Sequence, residues 1–272
     1  MVKLAINHMT VAQASFLGLL EVASTLHATG VELRNDLPER LLGGLDPEQA
    51  GAIARSKSLR ILALAEVKMF NDWSARKAQE ATALMQISVA CGAEAVSLIP
   101  RNDGVGTDPV QRRADLRVAL LGLRPLLEAY GLVGLIEPLG FRTSSLRLKA
   151  EIVDEIEALD AADRFMLIHD TFHHFLADED AYFAAHTGIV HISGVVDPNL
   201  SPCQIRDEDR VLLDERDRLK NIDQIRRLIA DGYDRPFSFE AFSTKVQNLA
   251  DPGVELSRSV HFIETGLAAE AA

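Results

Sequence analysis

Short apolar runs alternate with helical patterns eight times along this chain, and that alternation leaves few folds open. The runs are Val2–His8, Val31–Asn35, Arg60–Glu66, Ala93–Pro100, Leu132–Glu137, Phe165–Asp170, Ile189–Ser193 and Pro236–Glu240. Between them lie stretches with apolar residues at helical spacing. Val11–Thr29 places Phe16, Leu19, Leu20, Ala23 and Leu26 on one face, and Gly30 suits its C-terminal end. Asp46-Pro47-Glu48 reads as an N-cap followed by proline at the first helical position. Further helices are predicted at Asp72–Ala90, Pro109–Tyr130, Leu148–Leu159, Glu179–His186, Ile222–Ala230 and Val254–Leu267, with an Ala-rich tail frayed after Gly266. Strict alternation implies a parallel sheet with right-handed crossovers. Eight units in 272 residues, about 34 each, favour an α/β fold of the (β/α)8 TIM-barrel type, one domain over residues 1–272. Such barrels typically take ~250 residues. Periodicity alone does not separate a closed barrel from an open doubly wound sheet.

Four runs of the second half each end in a residue able to bind a metal. They close on Glu137, Asp170, His191 and Glu240. Strand side chains alternate between faces. If Glu137 points inward, so do Leu135 and Val133; Asp170 brings Ile168 and Met166, and Glu240 brings Ser238. Taken singly, an acidic residue after a strand is an ordinary helix cap or a solvated loop residue. Four in succession at the C-terminal ends of parallel strands converge where a barrel keeps its active site. Converging carboxylates repel unless a cation lies between them. The oxygen-rich set suits one divalent ion, with Zn2+ and Mn2+ best matched and Mg2+ and Co2+ also compatible.

Around that cluster, His173 lies three residues after Asp170 and is a candidate to bind a substrate oxygen. His174 and His169 are weaker candidates, and His169 should face the helices if Asp170 faces inward. Other polar residues near strand ends include Asn7, His8, Glu32, Arg34, Glu66 and Arg101. Lys68 and Arg142 are the most interesting cations, near strands three and five. Residues 195–220 form a long charged segment after strand seven, either a solvated loop or a lid over the catalytic mouth. As a lid it would bring Arg206 or Arg210 to a substrate hydroxyl.

Several function classes fall away. The formal net charge is −12, which disfavours attraction to a nucleic-acid backbone. Two cysteines, Cys91 and Cys203, give neither a disulfide framework nor a Cys-based zinc site. No P-loop and no glycine fingerprint after a strand supports nucleotide use. Loops seven and eight lack a phosphate-cradling glycine cluster, which favours a non-phosphorylated substrate. The start reads as a first strand rather than a signal peptide, and no apolar run is long enough to span a bilayer. A cytoplasmic protein is the expectation, with no nucleic-acid or membrane partner and a homodimer as the protein assembly considered.

At Val-Glu-Leu-Arg-Asn-Asp (31–36), Glu-Pro-Leu-Gly-Phe-Arg (137–142), Asp-Thr-Phe-His-His (170–174), Val-His-Ile-Ser-Gly (190–194) and Phe-Glu-Ala-Phe (239–242), the chain resembles the xylose-isomerase-like TIM-barrel sugar isomerases and epimerases. The resemblance spans essentially the whole chain and looks strongest toward the inosose (2-keto-myo-inositol) isomerases of inositol catabolism. It implies that Glu137, Asp170, His191 and Glu240 hold the metal, that Glu137 and Glu240 also carry protons, and that His173 meets the substrate. It implies a keto-polyol isomerised through an enediolate, the ion acting as Lewis acid. Related members act on other keto sugars, as 3-epimerases or dehydratases. A related class of DNA-repair endonucleases needs three metals, more histidines and a basic groove, features that are missing from this chain. A non-catalytic metal-dependent sugar-binding protein is the remaining alternative.

Overall fold

The computed structural model describes residues 2–269. Eight parallel strands pair in chain order and close on themselves. They are β1 (Leu4–Asn7), β2 (Gly30–Arg34), β3 (Arg60–Lys68), β4 (Ala95–Ile99), β5 (Val133–Ile136), β6 (Phe165–Asp170), β7 (Thr187–Ile192) and β8 (Phe237–Phe239). The closing seam matches Leu4 with Phe237, Ala5 with Ser238 and Ile6 with Phe239. This pairing settles what periodicity left open: the sheet is a barrel and the chain folds as one TIM-barrel domain.

The strand period sorts the side chains as expected. Ala5, Ala95, Leu135, Ile168 and Ile189 pack together with Val133 and Met166 inside the barrel. The outward-facing residues meet α1 (Phe16–Thr25), α2 (Pro47–Ser56), α3 (Ala75–Cys91), α4 (Pro109–Tyr130) and α5 (Lys149–Ala158) in one large core. In α4, Leu116, Leu120, Leu123 and Leu127 are fully buried. Each such side chain contributes roughly 1.5–3 kcal/mol by leaving water. Asp108 caps α4 by accepting from the Val110 and Gln111 amides at 3.0 Å each, Pro109 follows at the first turn, and Gly131 ends it at φ 66°. Asp46 caps α2 in the same way.

Three elements depart from the sequence reading. The first helix does not begin at Val11. Residues His8–Val11 make a 3-10 turn, and α1 starts only after Ser15 accepts from the Gly18 amide. It ends at Thr25 because His27 takes a positive φ of 51°. The helix predicted at Glu179–His186 lies earlier, as α6 (Thr171–Ala177), while Ala184–His186 forms only a 3-10 turn. The reason is Asp170: its Oδ1 accepts from the Phe172 amide at 2.8 Å and starts a helix directly from the strand end. Asp178, at φ 55°, stops it. The tail expected to fray after Gly266 continues as helix to Ala268, the end of α9 (Pro252–Ala268). Residues 270–272 lie outside the described part. Two more helices complete the set, α7 (Asn221–Ala230) and the single-turn α8 (Thr244–Gln247). Among the described residues no helix is long and apolar enough to cross a membrane.

The segment 195–220 lies over the C-terminal mouth of the barrel. Gly194 and Val211 form an antiparallel bridge, Asp207–Asp209 a 3-10 turn, and Val195, Ile205 and Leu219 pack on Phe172 of α6. Arg210 O accepts from the amides of Phe242 and Ser243, which stitches this segment to the loop after β8.

Lys149, at the start of α5, is buried between α6 and the loop that follows it. Its Nζ lies 2.6 Å from His174 Nδ1 and 3.3 Å from Glu179 Oε2. Burial pulls the amine down from 10.5 to about 8, with Glu179 opposing. Between those values the unfolded chain holds a proton that the folded chain has released, so stability rises with pH in that window. The penalty is fully present below pH 8 and gone above the unfolded value. The stability difference between wild type and Lys149→Met should therefore move in favour of wild type by up to about 3 kcal/mol from pH 8 to 10.5. Urea midpoints across that range measure it, and a flat difference would refute it.

Candidate metal centre

Glu137, Asp170, His191 and Glu240 meet in the barrel mouth, all buried, with one potential ligand atom from each within 4.8 Å of the others. Their strands deliver them in sequence order. Glu137 and Glu240 stand one residue beyond β5 and β8, and their amides continue the ladders to Leu98 O and Ile192 O. Asp170 and His191 are paired in register on β6 and β7. Asp170 divides its two oxygens: Oδ1 caps α6, and Oδ2 turns to the centre.

His191 Nδ1 faces Glu240 Oε2 at 3.1 Å, Glu137 Oε1 at 3.5 Å and Asp170 Oδ2 at 3.9 Å, and it makes no hydrogen bond among the described residues. Its other nitrogen, Nε2, lies 3.1 Å from Glu32 Oε2. Arg210 Nη2 donates to Asp170 Oδ2 at 2.6 Å and to Glu240 Oε2 at 2.9 Å. Its guanidinium rests against Phe172 and Phe242, 4.8 and 4.6 Å from their ring centroids. Asn7 and Arg34 donate to Glu240 Oε1 at 3.0 and 2.9 Å. Four carboxylates, counting Glu32, thus face two guanidinium groups. A deficit of positive charge therefore remains around a buried nitrogen that has no hydrogen-bond partner among the described residues. One N and three O donors with that deficit fit a divalent cation.

The carboxyls differ in character. Burial raises Glu137, reinforced by Glu240 and only partly relieved by His191. Burial also raises Asp170, to about 7, against Arg210. Burial pushes Glu240 the same way, but His191, Arg210 and Arg34 outweigh it and hold that carboxyl well below its usual range. His191 is disfavoured as a cation by burial, yet Glu240, Glu32 and Glu137 raise it well above its ordinary value. His173 is the reverse case: burial, then Arg210, keeps it neutral. The Gly140 amide donates to His173 Nδ1 at 3.2 Å, which leaves its proton on Nε2, 4.0 Å from Glu137 Oε1.

Of the five residues read from sequence as substrate contacts, His173 and Arg210 stand at the centre. Arg210 meets the carboxylates themselves rather than open space for a hydroxyl. Lys68 does not reach the centre: its side chain is 73% exposed and its Nζ is 3.9 Å from Glu66. Arg206 bonds the carbonyls of Cys203 and Ile205 in its own loop. Arg142 is exposed. Arg142 and Arg206 instead line a cavity of about 1190 Å³ beside the centre, between the loop after β5, α6 and residues 202–207. His169 faces the helices as expected, bonded to Gln224 of α7 and stacked on Tyr182. Asn7, Glu32 and Arg34 carry more of the site than their isolated positions in the sequence suggested. The available signal was Glu32 and Arg34 two apart in an otherwise apolar strand, both turned inward.

Two outcomes follow from this geometry. Stripping divalent ions with a chelator should lower the melting temperature, and returning Zn2+ or Mn2+ at about 100 times its Kd should restore ~2.7 kcal/mol, roughly 5–10 °C in a scan. An unchanged melting curve with no metal by elemental analysis would remove the centre. Gly140 is the second test. A Cβ there would sit 2.3 Å from His173 O and 2.7 Å from Leu176 Cβ. Gly140→Ala should push α6 aside and misplace His173, costing about 10²-fold in turnover in a folded protein; wild-type turnover would show that this contact is not needed.

Residues 20–265 match the family described as xylose isomerase-like TIM barrel. Comparison with curated protein sequences gave no match. Among solved structures, a xylose isomerase domain-containing protein from Salmonella typhimurium LT2 is 29% identical at a TM-score of 0.87, covering 98% of this chain and 97% of its own. The IOLI protein, with a binding zinc atom, is 19% identical at 0.82, covering 96% and 98%. D-psicose 3-epimerase from Clostridium cellulolyticum H10, with D-tagatose, is 17% identical at 0.73, covering 98% and 99%. With the family matching nearly the full length and the barrel closed as it requires, this chain belongs to the xylose isomerase-like TIM-barrel family.

Proposed function

We propose that the protein is a metal-dependent isomerase that moves a ketone between adjacent carbons of a non-phosphorylated cyclic keto-polyol, with 2-keto-myo-inositol as the substrate. The observation that carries this reading is the buried meeting of Glu137 and Glu240, from β5 and β8, around one potential cation site with neutral His173 beside Glu137. The zinc of the IOLI protein, which shares this fold, supports Zn2+ as the ion. When bound, the ion would be held by Glu137, Asp170, His191 and Glu240 and would supply Lewis acidity that makes the carbon beside a ketone easier to deprotonate.

The chain's own groups do the rest. A proton must leave one carbon and return to its neighbour. A general base works best with a pKa near the working pH. Glu137, raised by burial, is better tuned for that transfer than Glu240, which His191, Arg210 and Arg34 keep ionised against its burial. Glu137 therefore takes the proton from the carbon beside the ketone and returns it to the neighbouring carbon, while ionised Glu240 holds negative charge in place. His173 Nε2–H, aimed at Glu137, donates to a substrate oxygen and orients it. Residues 195–220 keep water from the centre through Arg210. A ketose 3-epimerase is the second reading, since carboxylates arriving from β5 and β8 also suit two faces of one carbon.

The test incubates 2-keto-myo-inositol with zinc-loaded protein in D2O. Deuterium should appear on the carbon that bore the original ketone in a new keto-inositol, and on the carbon beside the ketone in recovered substrate. Glu137→Gln or Glu240→Gln should each slow turnover by ~10² or more, and His173→Ala by less. Exchange without a new keto-inositol would assign a different substrate and bring the epimerase reading forward. No exchange with inososes or common ketoses would refute proton transfer and leave a binding protein.

A further inference from the structure

Glu32 lies on β2, at 0% exposure, and has no role in the proton transfer described above. Its Oε2 is 3.1 Å from His191 Nε2, while its Oε1 has no hydrogen-bond partner among the described residues. Barrel closure creates the contact. β2 pairs with β1, β1 with β8 and β8 with β7, so Glu32 looks across the mouth at a histidine 159 positions later.

An imidazole can offer a lone pair to a cation from one nitrogen only when its proton sits on the other. A carboxylate beside Nε2 accepts that N–H and keeps the proton there. Nδ1 then turns its lone pair into the space it shares with Glu137, Asp170 and Glu240. Among the described residues nothing donates to that lone pair. A carboxylate behind a ligating imidazole also fixes the ring's angle and makes it a stronger donor. The surroundings favour this role over a general supply of negative charge. Three carboxylates already face the centre, and a fourth in a dry site adds repulsion unless a specific N–H offsets it.

We infer that Glu32 is a positioning residue for the metal centre: it holds His191 as the tautomer that presents Nδ1 to the cation, and so sets metal affinity. This rests on the metal reading of the centre. The test compares Zn2+ affinity, by competition with a chelating dye, in wild type, Glu32→Gln and Glu32→Leu. Glutamine keeps a hydrogen-bond acceptor and the shape but not the charge; leucine keeps neither acceptor nor charge. Leucine should weaken binding by ~10–100-fold, and glutamine should recover most of that loss. A leucine variant that binds as tightly as wild type, or a glutamine variant as weak as leucine, overturns the inference. A second measurement needs no variant. In zinc-loaded wild type, the nitrogen-15 spectrum of the His191 ring should show its proton on Nε2, and a proton on Nδ1 overturns the assignment. If wild type takes up no zinc, the metal reading itself fails and this one with it; if wild type binds and only the variant pattern is wrong, the metal reading stands alone.

Discussion

Four carboxylates turned into the dry mouth of a closed barrel set the terms for everything packed around them. Two like charges about 4–5 Å apart repel by roughly 3–4 kcal/mol at the effective dielectric of a protein interior. Glu137, Asp170 and Glu240 lie within that range of one another, and Glu32 stands just behind His191. Arg34 and Arg210 supply part of the compensation, and Asn7 adds an amide donor. Neither guanidinium sits between all the carboxylates. Burial first, and repulsion between the carboxylates after it, raise Glu137 and Asp170, and the surplus of negative charge pulls His191 toward its cationic form. A dication at the focus relieves all of these at once, which is why the cluster reads as a centre rather than as an expensive structural ornament.

The same charge imbalance organises the long segment after β7. Arg210 is its one side chain driven fully into the centre, and it arrives with Phe172 and Phe242 against its guanidinium faces. Its carbonyl is held by the loop after β8. Order in this segment therefore depends on the carboxylates it covers. Removing charge at Asp170 or Glu240 would loosen the cover as well as the centre, since a buried guanidinium stripped of its partners is costly.

Much of this was legible in the sequence because two simple periods do the work. The β-period of two sent Leu135, Ile168 and Met166 inward with Glu137 and Asp170, and chain order delivered the four candidate ligands to neighbouring strands. What resisted reading had no period to orient it. Arg142 and Arg206 sit in loops, where sequence position says little about direction. Lys68 ends its strand beyond the rim and turns to solvent. Glu32 and Asn7 stand near the start of the chain, and only the β1–β8 seam brings them against His191 and Glu240. The misplaced helix after β6 has the most instructive cause. Asp170 was read as a ligand, and the same carboxylate also caps a helix, so α6 begins where a loop was expected.

That double use explains why the centre and the cavity beside it are under different constraints. Asp170 joins the centre to the α6 cap, Gly140 ties the loop after β5 to His173, and Glu137 and Glu240 extend the strand ladders. Changing Asp170 or Gly140 disturbs the packing of α6 as well as the centre. The cavity beside the centre is different in kind. Its wall is made of loop residues such as Arg142, Arg206 and Asp207, few of which the barrel needs. A barrel built this way can keep its buried centre fixed while the loops of the wall change. Strand and helix periods have least to say about that wall, because residues such as Arg142 and Arg206 lie in loops.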